Sequence, residues 1–199
     1  MSEGARAALL RKAQCLSGAA AKIRLAVPAD FPAIALVERA AARMFAGTHM
    51  EWAVDAPPTD PSWLAAAWGR GWLWVAVLAA DGRIAGFLMA APLAQDLFVQ
   101  ELSVHPDLHR QGIGTALLAQ AAAAARKAGC AGMALTTDRT LPWNAPFYAR
   151  LGFVLQERPA PALRERLAAE RHAGMDPRQR CAMRLDLREA PPDRGGASA

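Results

Sequence analysis

One stretch of the chain constrains the fold more than any other, a strand-like run that passes through a glycine-containing turn into a helix. Residues 97–104 are rich in strand-favouring residues, and residues 114–127 form the most helix-favouring segment. The turn between them ends in six residues, Arg110, Gln111, Gly112, Ile113, Gly114 and Thr115. This order brings free backbone amides and the positive end of a helix to one point, which suits a pyrophosphate.

Glycine and arginine have separate uses in such a turn. Side chains at positions 112 and 114 would keep a phosphate away from the backbone, and Arg110 can add a charge-assisted contact. The same pattern also serves as plain turn chemistry and occurs in dinucleotide-binding folds, so by itself it leaves the ligand open. No Gly-Lys-Ser/Thr follows, as it would in a P-loop, and the third glycine of the Rossmann fingerprint is absent.

The rest of the sequence predicts an α/β (α+β) fold with the order β-α-(α)-β-β-β-α-β-α-β, followed by one more helix and one more strand. Apolar runs predict further strands at residues 22–27, 71–79, 84–91, 132–137, 153–156 and 180–187. Helical spacing predicts helices at residues 31–45, 61–68, 145–150 and 164–172, and Asp30 is predicted to cap the first of them. Asp81 and Gly82 form a hairpin-turn signal, so the strands on either side should pair antiparallel.

Length and composition favour one folded domain over residues 22–188. Residues 1–21 are predicted to be a flexible or loosely helical leader, and residues 189–199, rich in Pro, Gly and Ser, a disordered tail. The apolar stretches are interrupted well before the ~20 residues of a transmembrane helix, so we expect a soluble protein with no membrane partner.

Charge and cysteine content exclude some partners. The net charge is +5, but acidic residues stand among the arginines almost everywhere, so solvated faces account for the excess better than a nucleic-acid partner does. The three cysteines are far apart and have no close His or Cys neighbours, which predicts neither a disulfide framework nor a metal site. A reducing cytoplasm fits these cysteines best.

The residues around the glycine turn resemble a known family. The sequence ELSVHP at residues 101–106, followed by His109 and the turn, resembles the acetyl-CoA motif of the Gcn5-related N-acetyltransferases. The resemblance covers about residues 22–188 and implies a mixed, mostly antiparallel central sheet of six or seven strands, flanked by helices and splayed at the acetyl-CoA site. It also implies that Leu102, Ser103 and Val104 follow the pantetheine arm. His109 stands where the family usually has Arg or Gln, but binding should survive because the phosphate contacts come mainly from amides.

A second segment resembles the family's aromatic-Tyr-x-x-x-Gly-Phe pattern, at residues 144–153. The resemblance implies that Tyr148, the one tyrosine of the chain, lies near the thioester sulfur and protonates the departing thiolate; the alternative is a buried tyrosine with a satisfied hydroxyl. Leu141 stands where the family commonly has an asparagine that contacts the cofactor. Asn144 either replaces that contact or caps the short helix that follows it.

The resemblance implies an N-acetyltransferase that moves an acetyl group from acetyl-CoA to a primary amine of a small molecule or peptide by direct attack in a ternary complex. The amine must be neutral to attack, and Glu101, where several family members carry an acidic base, is the candidate to take its proton. An exposed glutamate or a strand ion pair is the alternative for Glu101. A protein of the same fold that binds acyl-CoA without turnover is the alternative function. Dimerisation is common in the family, so the resemblance allows a homodimer.

The acceptor in this family is recognised mainly by the segment that corresponds to residues 44–72. Aromatic and acidic residues in this segment could form a pocket for a cationic amine, or the aromatic residues could belong to the core. They are Phe45, His49, Glu51, Trp52, Asp55, Asp60, Trp63 and Trp68.

Overall fold

The computed structural model describes residues 21–188. The predicted leader and tail therefore lie outside the described residues, except for Ala21, which is the first residue of the first strand. Both expectations stay predictions.

A seven-stranded sheet forms the centre of the described chain. Its strands are β1 (Ala21–Leu25), β2 (Leu73–Leu78), β3 (Ile84–Leu93), β4 (Asp96–Val104), β5 (Gly132–Asp138), β6 (Val154–Leu155) and β7 (Arg180–Asp186). They lie in the order β1-β2-β3-β4-β5-β7-β6, and within residues 21–188 the pair β4–β5 is parallel whereas the other five pairs are antiparallel. The mixed, mostly antiparallel sheet expected from the sequence is confirmed.

Helices cover both faces of this sheet. They are α1 (Phe31–Ala42), α2 (Pro61–Gly69), α3 (Ile113–Lys127), α4 (Ala145–Ala149) and α5 (Pro161–His172), with short 3-10 turns at Pro28–Asp30, Arg43–Phe45, Glu51–Ala53 and Pro106–Leu108. Helices α1 and α2 pack on the central strands, α5 packs on β5 and β7, and α3 packs across β1 to β5. None of the helices within residues 21–188 is long and apolar enough to cross a membrane.

Alternation along the strands divides the core between the two faces. Trp74 and Leu88 join a large cluster with Leu117 of α3, whereas their neighbours Val75 and Phe87 join a second cluster beneath α1 and α2. Successive side chains of a strand point to opposite faces, so one strand supplies both clusters. Burying each such large side chain contributes about 1.5–3 kcal/mol to folding.

Strands β4 and β5 separate after a short paired stretch. They pair only over Asp96–Phe98 and Gly132–Ala134. Beyond this stretch β4 stays paired with β3 as far as Val104, while β5 stays paired with β7 as far as Asp138. The sheet therefore opens into a V between β4 and β5, which confirms the splay that the resemblance implied.

Several boundaries and one cap differ from the sequence prediction. β6 has two residues instead of four, α5 begins three residues earlier, and β3 extends to Leu93. Asp30, expected to cap α1, makes no side-chain cap; its carboxylate instead accepts two hydrogen bonds from Arg24 and one from the Val27 amide. A guanidinium binds a carboxylate with two parallel bonds, which favours this pair over the cap.

Candidate active site

The V between β4 and β5 opens into a cavity of about 1060 Å³. Its volume lies just above the range usual for ligand and cofactor pockets, roughly 300–1,000 Å³. The cavity brings together most of the residues that the sequence pointed to, namely Glu101, Leu102, Ser103, Val104, Arg110, Gly112, Ile113, Gly114, Thr115, Asn144 and Tyr148. Gln111 does not line it, because its exposed side chain donates from Nε2 to the Asp107 carbonyl at 3.4 Å.

A β-bulge in β4 sets the direction of the side chains beside the V. Glu101 is opposite Met89 in β3, but the next pair is Val99 with Ala90, so Gln100 is an additional residue without a partner in β3. A bulge reverses which face later side chains point to and often stands beside active sites. As a result Leu102 packs with the α3-side core, while Glu101 points to the face that carries α1.

The edge of β4 that faces the V carries unpaired backbone groups. No residue of β5 pairs with β4 from Val99 to Val104 in the described sheet, so the outward N–H and C=O groups of this stretch are free for an extended ligand. One of these carbonyls is already engaged. His109 Nε2 lies 2.9 Å from the Val104 carbonyl oxygen, and since a carbonyl only accepts, the imidazole is the donor.

The turn before α3 has a special backbone. Arg110 (φ 61°) and Gly112 (φ 81°) both have left-handed conformations, and α3 starts at Ile113. Alternation of left- and right-handed residues turns successive amides toward one side and forms an anion-binding concavity. The first amides of α3 add to it because they have no partner inside the helix. Arginine at a positive φ costs about 1–2 kcal/mol, so this turn holds a strained residue at the expected phosphate site.

The protein leaves enough space for a small side chain at position 114. A Cβ built on it would lie 3.5 Å from Phe147 Cζ and 3.8 Å from Val104 Cγ2, which are ordinary contacts. The protein alone would therefore accept an alanine here. Only a bound ligand close to the backbone would make glycine necessary, and that role stays a prediction.

Glu101 lies half-buried where β4 borders the cavity. Burial first, and then the negative charge of Glu38, raise the pKa of its carboxyl, while the hydrogen bond from Ser103 Oγ at 2.8 Å opposes them; together they bring the pKa to about 7. Glu101 and Ser103 are two residues apart on one strand and therefore share a face. A carboxyl of this kind exchanges a proton near neutral pH.

Tyr148 borders the same cavity from the short helix α4. Burial and then the charge of Glu101 raise the pKa of its hydroxyl, although Arg180 opposes them, so the hydroxyl stays protonated at physiological pH. Its ring packs edge-on against Phe147 and Phe153, with centroids 5.2 Å and 5.6 Å away. The hydroxyl makes no hydrogen bond with any residue between 21 and 188, so it is available to a ligand in the cavity, and its role stays a prediction.

Asn144 and its neighbours form the wall between β5 and α4. Asn144 occupies the N-cap position of α4, but its side chain makes no cap bond and it lines the cavity, which leaves the amide free for a ligand. Leu141 is buried. Trp143 Nε1 is buried and has no acceptor among the described residues, and such a donor requires a partner from water or ligand.

The aromatic residues expected on the acceptor side fall into two groups. Phe45, Trp52 and Trp63 line the cavity, whereas Trp68 does not. Trp52, Trp63 and Trp68 are 53%, 62% and 43% exposed, so none of the three belongs to the core. Among the polar candidates, Asp60 caps α2 through the Ser62 amide, His49 pairs with Asp138, and Glu51 and Asp55 lie away from the cavity.

Three residues of this region were missed by sequence reasoning. Glu38 lines the cavity from α1, Asp138 ends β5 with no exposed surface, and Arg180 of β7 binds Glu170 at 2.8 Å beside the cavity. Their partners lie between 10 and 89 positions away in the sequence. In the sequence Glu38 resembles any solvated residue of an amphipathic helix. The one sequence signal for Asp138 is that it is an acidic residue directly after a predicted buried strand.

The cysteines of the described range take no part in this arrangement. Cys130 is half-buried and Cys181 is buried, and both are free. Burial raises the pKa of both thiols, which keeps them protonated and unreactive.

The splayed sheet, the left-handed turn before a helix and the carboxyl–tyrosine pair together define an acyl-CoA-binding transferase fold. Residues 42–153, more than half of the 199-residue chain, match the model of the acetyltransferase (GNAT) family. The chain belongs to this family.

Solved structures of other family members share the fold. Ribosomal-protein-S18-alanine N-acetyltransferase from Escherichia coli is 20% identical, with a TM-score of 0.57 over 87% of this chain and 97% of that one. PaiA N-acetyltransferase from Thermoplasma acidophilum, in complex with coenzyme A, is 18% identical, with a TM-score of 0.63 over 84% and 99%. A GNAT acetyltransferase from Brucella melitensis, in complex with acetyl-CoA, is 21% identical, with a TM-score of 0.54 over 86% and 91%.

Proposed function

We propose that the protein is an acetyl-CoA-dependent N-acetyltransferase that moves the acetyl group to a primary amine of a small molecule or peptide by direct attack. The observation that carries the proposal is the unpaired edge of β4 from Val99 to Val104, which runs beside the left-handed turn at residues 110–115. Family membership and the coenzyme A and acetyl-CoA complexes of two structural neighbours support the choice of cofactor.

The residues present fit acetyl-CoA in two parts. The outward backbone groups of β4 between Leu102 and Val104, apart from the Val104 carbonyl that His109 engages, suit the amide-bearing pantetheine arm, because an unpaired strand edge binds extended amides. The amides of residues 110–115 and the start of α3 suit the pyrophosphate, and Arg110 adds a positive charge there. The bound cofactor supplies an acetyl thioester, which an amine can attack without a covalent enzyme intermediate.

Glu101 acts as the base in this proposal. An ammonium group has no lone pair, so the acceptor amine must lose a proton before or during the attack. A carboxyl with a pKa of about 7 is a better base than an ordinary glutamate and is still substantially ionised at neutral pH. Glu101 lines the cavity on the face that carries α1, close to the aromatic residues expected on the acceptor side.

Tyr148 acts as the proton donor to the departing thiolate. Its hydroxyl is neutral and has no partner within the described residues, so its proton is available to a ligand in the cavity. The two groups are coupled, because the negative charge of Glu101 is one cause of the raised pKa of Tyr148. When Glu101 takes the amine proton, its negative charge is neutralised. The pKa of Tyr148 then falls, so Tyr148 donates its proton more readily at the step that needs it.

The free thiols support a cytoplasmic location. Cys130 and Cys181 are free, which fits a reducing environment, so the proposal places the enzyme in the cytoplasm.

The test is release of coenzyme A from acetyl-CoA in the presence of primary amines. The panel contains aliphatic polyamines, arylalkylamines, amino acids and short peptides with free N-termini, and mass spectrometry identifies the acetylated product. A reaction without amine corrects for the three cysteines of the chain, which a thiol reagent would also detect. Product formation with any amine supports the proposal. Tight acetyl-CoA binding with no turnover across the panel would favour the alternative, a non-catalytic acyl-CoA-binding protein.

A further inference from the structure

We propose that Glu38 is a positioning residue for the acetyl transfer: its carboxylate, held in place by Thr59, sets how readily Glu101 accepts the proton of the acceptor amine. The inference rests on the proposed function, because it requires Glu101 to be the base. Glu38 lies in α1, which packs against β3 and β4, and its side chain is half-buried.

Two hydrogen bonds fix the carboxylate of Glu38. The Thr59 amide donates to Oε2 and the Thr59 hydroxyl donates to Oε1, each at 2.9 Å. Thr59 belongs to the loop before α2, 21 positions along the chain. Because both oxygens are engaged, the carboxylate cannot rotate into solvent without breaking both bonds.

Glu38 and Thr59 each share a cavity with Glu101. Glu38 and Glu101 both line the 1060 Å³ cavity. Thr59 and Glu101 both line a second cavity of about 470 Å³, together with Trp63 and Pro58. Glu101 therefore lies where the two cavities meet, and the fixed carboxylate stands beside that junction.

A fixed negative charge in this position acts directly on the proton affinity of Glu101. Like charges in a low-dielectric site disfavour the ionised form of both groups, so the proton is held more strongly. Burial is the largest cause of the raised pKa of Glu101, and the charge of Glu38 is the second. No other charged side chain in the described part of the chain contributes to it. Ser103 opposes both, since its hydroxyl donates to the ionised carboxylate.

The other titratable groups around Glu101 come from every neighbouring element. Glu170 of α5 is neutralised by Arg180 of β7 at 2.8 Å, and Asp60 is occupied at the N-terminus of α2. The remaining charged or titratable side chains that line the cavity are Arg39, His109, Arg110, Tyr148, Arg150 and Arg166. The guanidinium of Arg166 lies over the Phe98 ring at 5.1 Å. None of these groups contributes to the raised pKa of Glu101.

The experiment is the pH dependence of kcat/KM for the best acceptor amine, measured in wild type, Glu38→Gln, Glu38→Asp and Thr59→Val. The wild-type rate should rise with pH with a midpoint near 7, because Glu101 must be ionised to act as base. Removing the charge in Glu38→Gln should move this midpoint down by about one pH unit. Glu38→Asp keeps the charge and should restore a midpoint close to that of wild type. Thr59→Val frees the carboxylate without removing it and should give a smaller downward shift.

A midpoint that stays near 7 in Glu38→Gln, with Glu101→Gln inactive, overturns the inference and leaves the proposed function intact. Absence of turnover in wild type is instead a failure of the proposed function. In that case the carboxyl ¹³C titration of Glu101, assigned by comparison with Glu101→Gln, decides the matter without turnover. An equal titration midpoint in wild type and Glu38→Gln refutes the role of Glu38. Thermal unfolding of each variant shows that the comparison is made between folded proteins.

Discussion

His49 and Asp138, 89 positions apart in the sequence, are joined by a contact of 2.6 Å between His49 Nε2 and Asp138 Oδ2. Asp138 ends β5, beyond the point where β4 and β5 separate. His49 belongs to the segment that brings Phe45 and Trp52 to the cavity. The contact therefore ties the expected acceptor segment across the open side of the V, and Phe45 adds to it with a ring contact of 6.4 Å to Trp143.

Loss of this contact should destabilise the domain. In His49→Ala the Oδ2 atom of a fully buried carboxylate loses its partner, which costs about 1–3 kcal/mol. Urea unfolding monitored by tryptophan fluorescence measures the change. His172→Ala, at the exposed end of α5, is the control and should stay within about 0.5 kcal/mol of wild type. Equal free energies of unfolding for His49→Ala and wild type would show that the contact does not stabilise the domain.

The same pair should also govern unfolding in acid. Burial alone would raise the pKa of Asp138, but hydrogen bonds from His49, Leu141 and Thr140 bring it below its ordinary value. Its contribution to stability is present above the unfolded-state pKa of about 3.9 and is lost as the pH falls through the lower folded-state value. His49→Ala should therefore unfold at a higher pH than wild type in an acid titration followed by circular dichroism. A midpoint unchanged by the substitution would contradict this.

Tyr148→Phe should separate catalysis from binding. The hydroxyl makes no hydrogen bond within residues 21–188, so its removal should leave the unfolding midpoint and the Kd for acetyl-CoA nearly unchanged. kcat should fall by about 10²-fold, the lower end of the usual contribution of a general acid. Steady-state kinetics and calorimetric titration on the same preparation test both statements. A large rise in Kd with kcat preserved would assign Tyr148 to binding instead.

Arg110 should show opposite effects on stability and on affinity. Arg110→Gly relieves a left-handed arginine, so the free energy of unfolding should stay equal or rise by up to about 1 kcal/mol. The lost charge should raise the Kd for acetyl-CoA by about threefold to fivefold. Gln111→Gly is the control: it keeps the backbone amide and removes a side chain that does not line the cavity, so the Kd should stay equal to that of wild type, while the freer unfolded chain should lower stability by about 0.4–1 kcal/mol. A Kd for Arg110→Gly equal to that of wild type would remove Arg110 from the phosphate site.

The closed end of the V depends on a glycine. Arg184 of β7 crosses Gly132 of β5 and binds Asp96 of β4 with two bonds, at 2.7 Å and 2.8 Å. A Cβ at position 132 would lie 2.5 Å from the Arg184 Nη2 atom and 2.7 Å from the Leu185 carbonyl oxygen. Gly132→Ala should therefore cost about 1–3 kcal/mol in urea unfolding. Gly69→Ala, at an open position in α2, is the control and should not destabilise; similar values for the two variants would refute the crowding.

The sequence predicted the sheet well because strand pattern and turn chemistry are local. Neighbouring residues are enough to predict the strand at residues 97–104, the turn at residues 110–115 and the helix after it. The splay was predicted because ELSVHP resembles the acetyl-CoA motif of the family. β6 was predicted too long because only two of its residues pair with β7, which is a tertiary contact.

The candidate site could be predicted only where it follows the motif. Glu101, Tyr148 and Asn144 were found this way and line one cavity, and their roles stay predictions. Glu38 and Asp138 could not be found, because their contacts depend on partners brought near by the fold, Thr59 in one case and His49 in the other. The motif gives the position of Gln111 and not the direction of its side chain, which binds the Asp107 carbonyl; the expected phosphate contact of its backbone amide stays a prediction.

The most direct test of the account is thermal unfolding with and without acetyl-CoA in wild type, Gly112→Glu and Gly129→Glu. Both glycines have positive φ, 81° and 78°, and stand just beyond the two ends of α3, so both substitutions impose similar strain, whereas only residue 112 lies at the expected phosphate site. At about 100 times its Kd, acetyl-CoA should stabilise wild type by about 2.7 kcal/mol and raise Tm by about 5 to 11 °C. We expect the same rise in Gly129→Glu and none in Gly112→Glu. No rise in wild type at millimolar acetyl-CoA, or an equal rise in all three proteins, would contradict the assignment of the V and its glycine turn as the cofactor site.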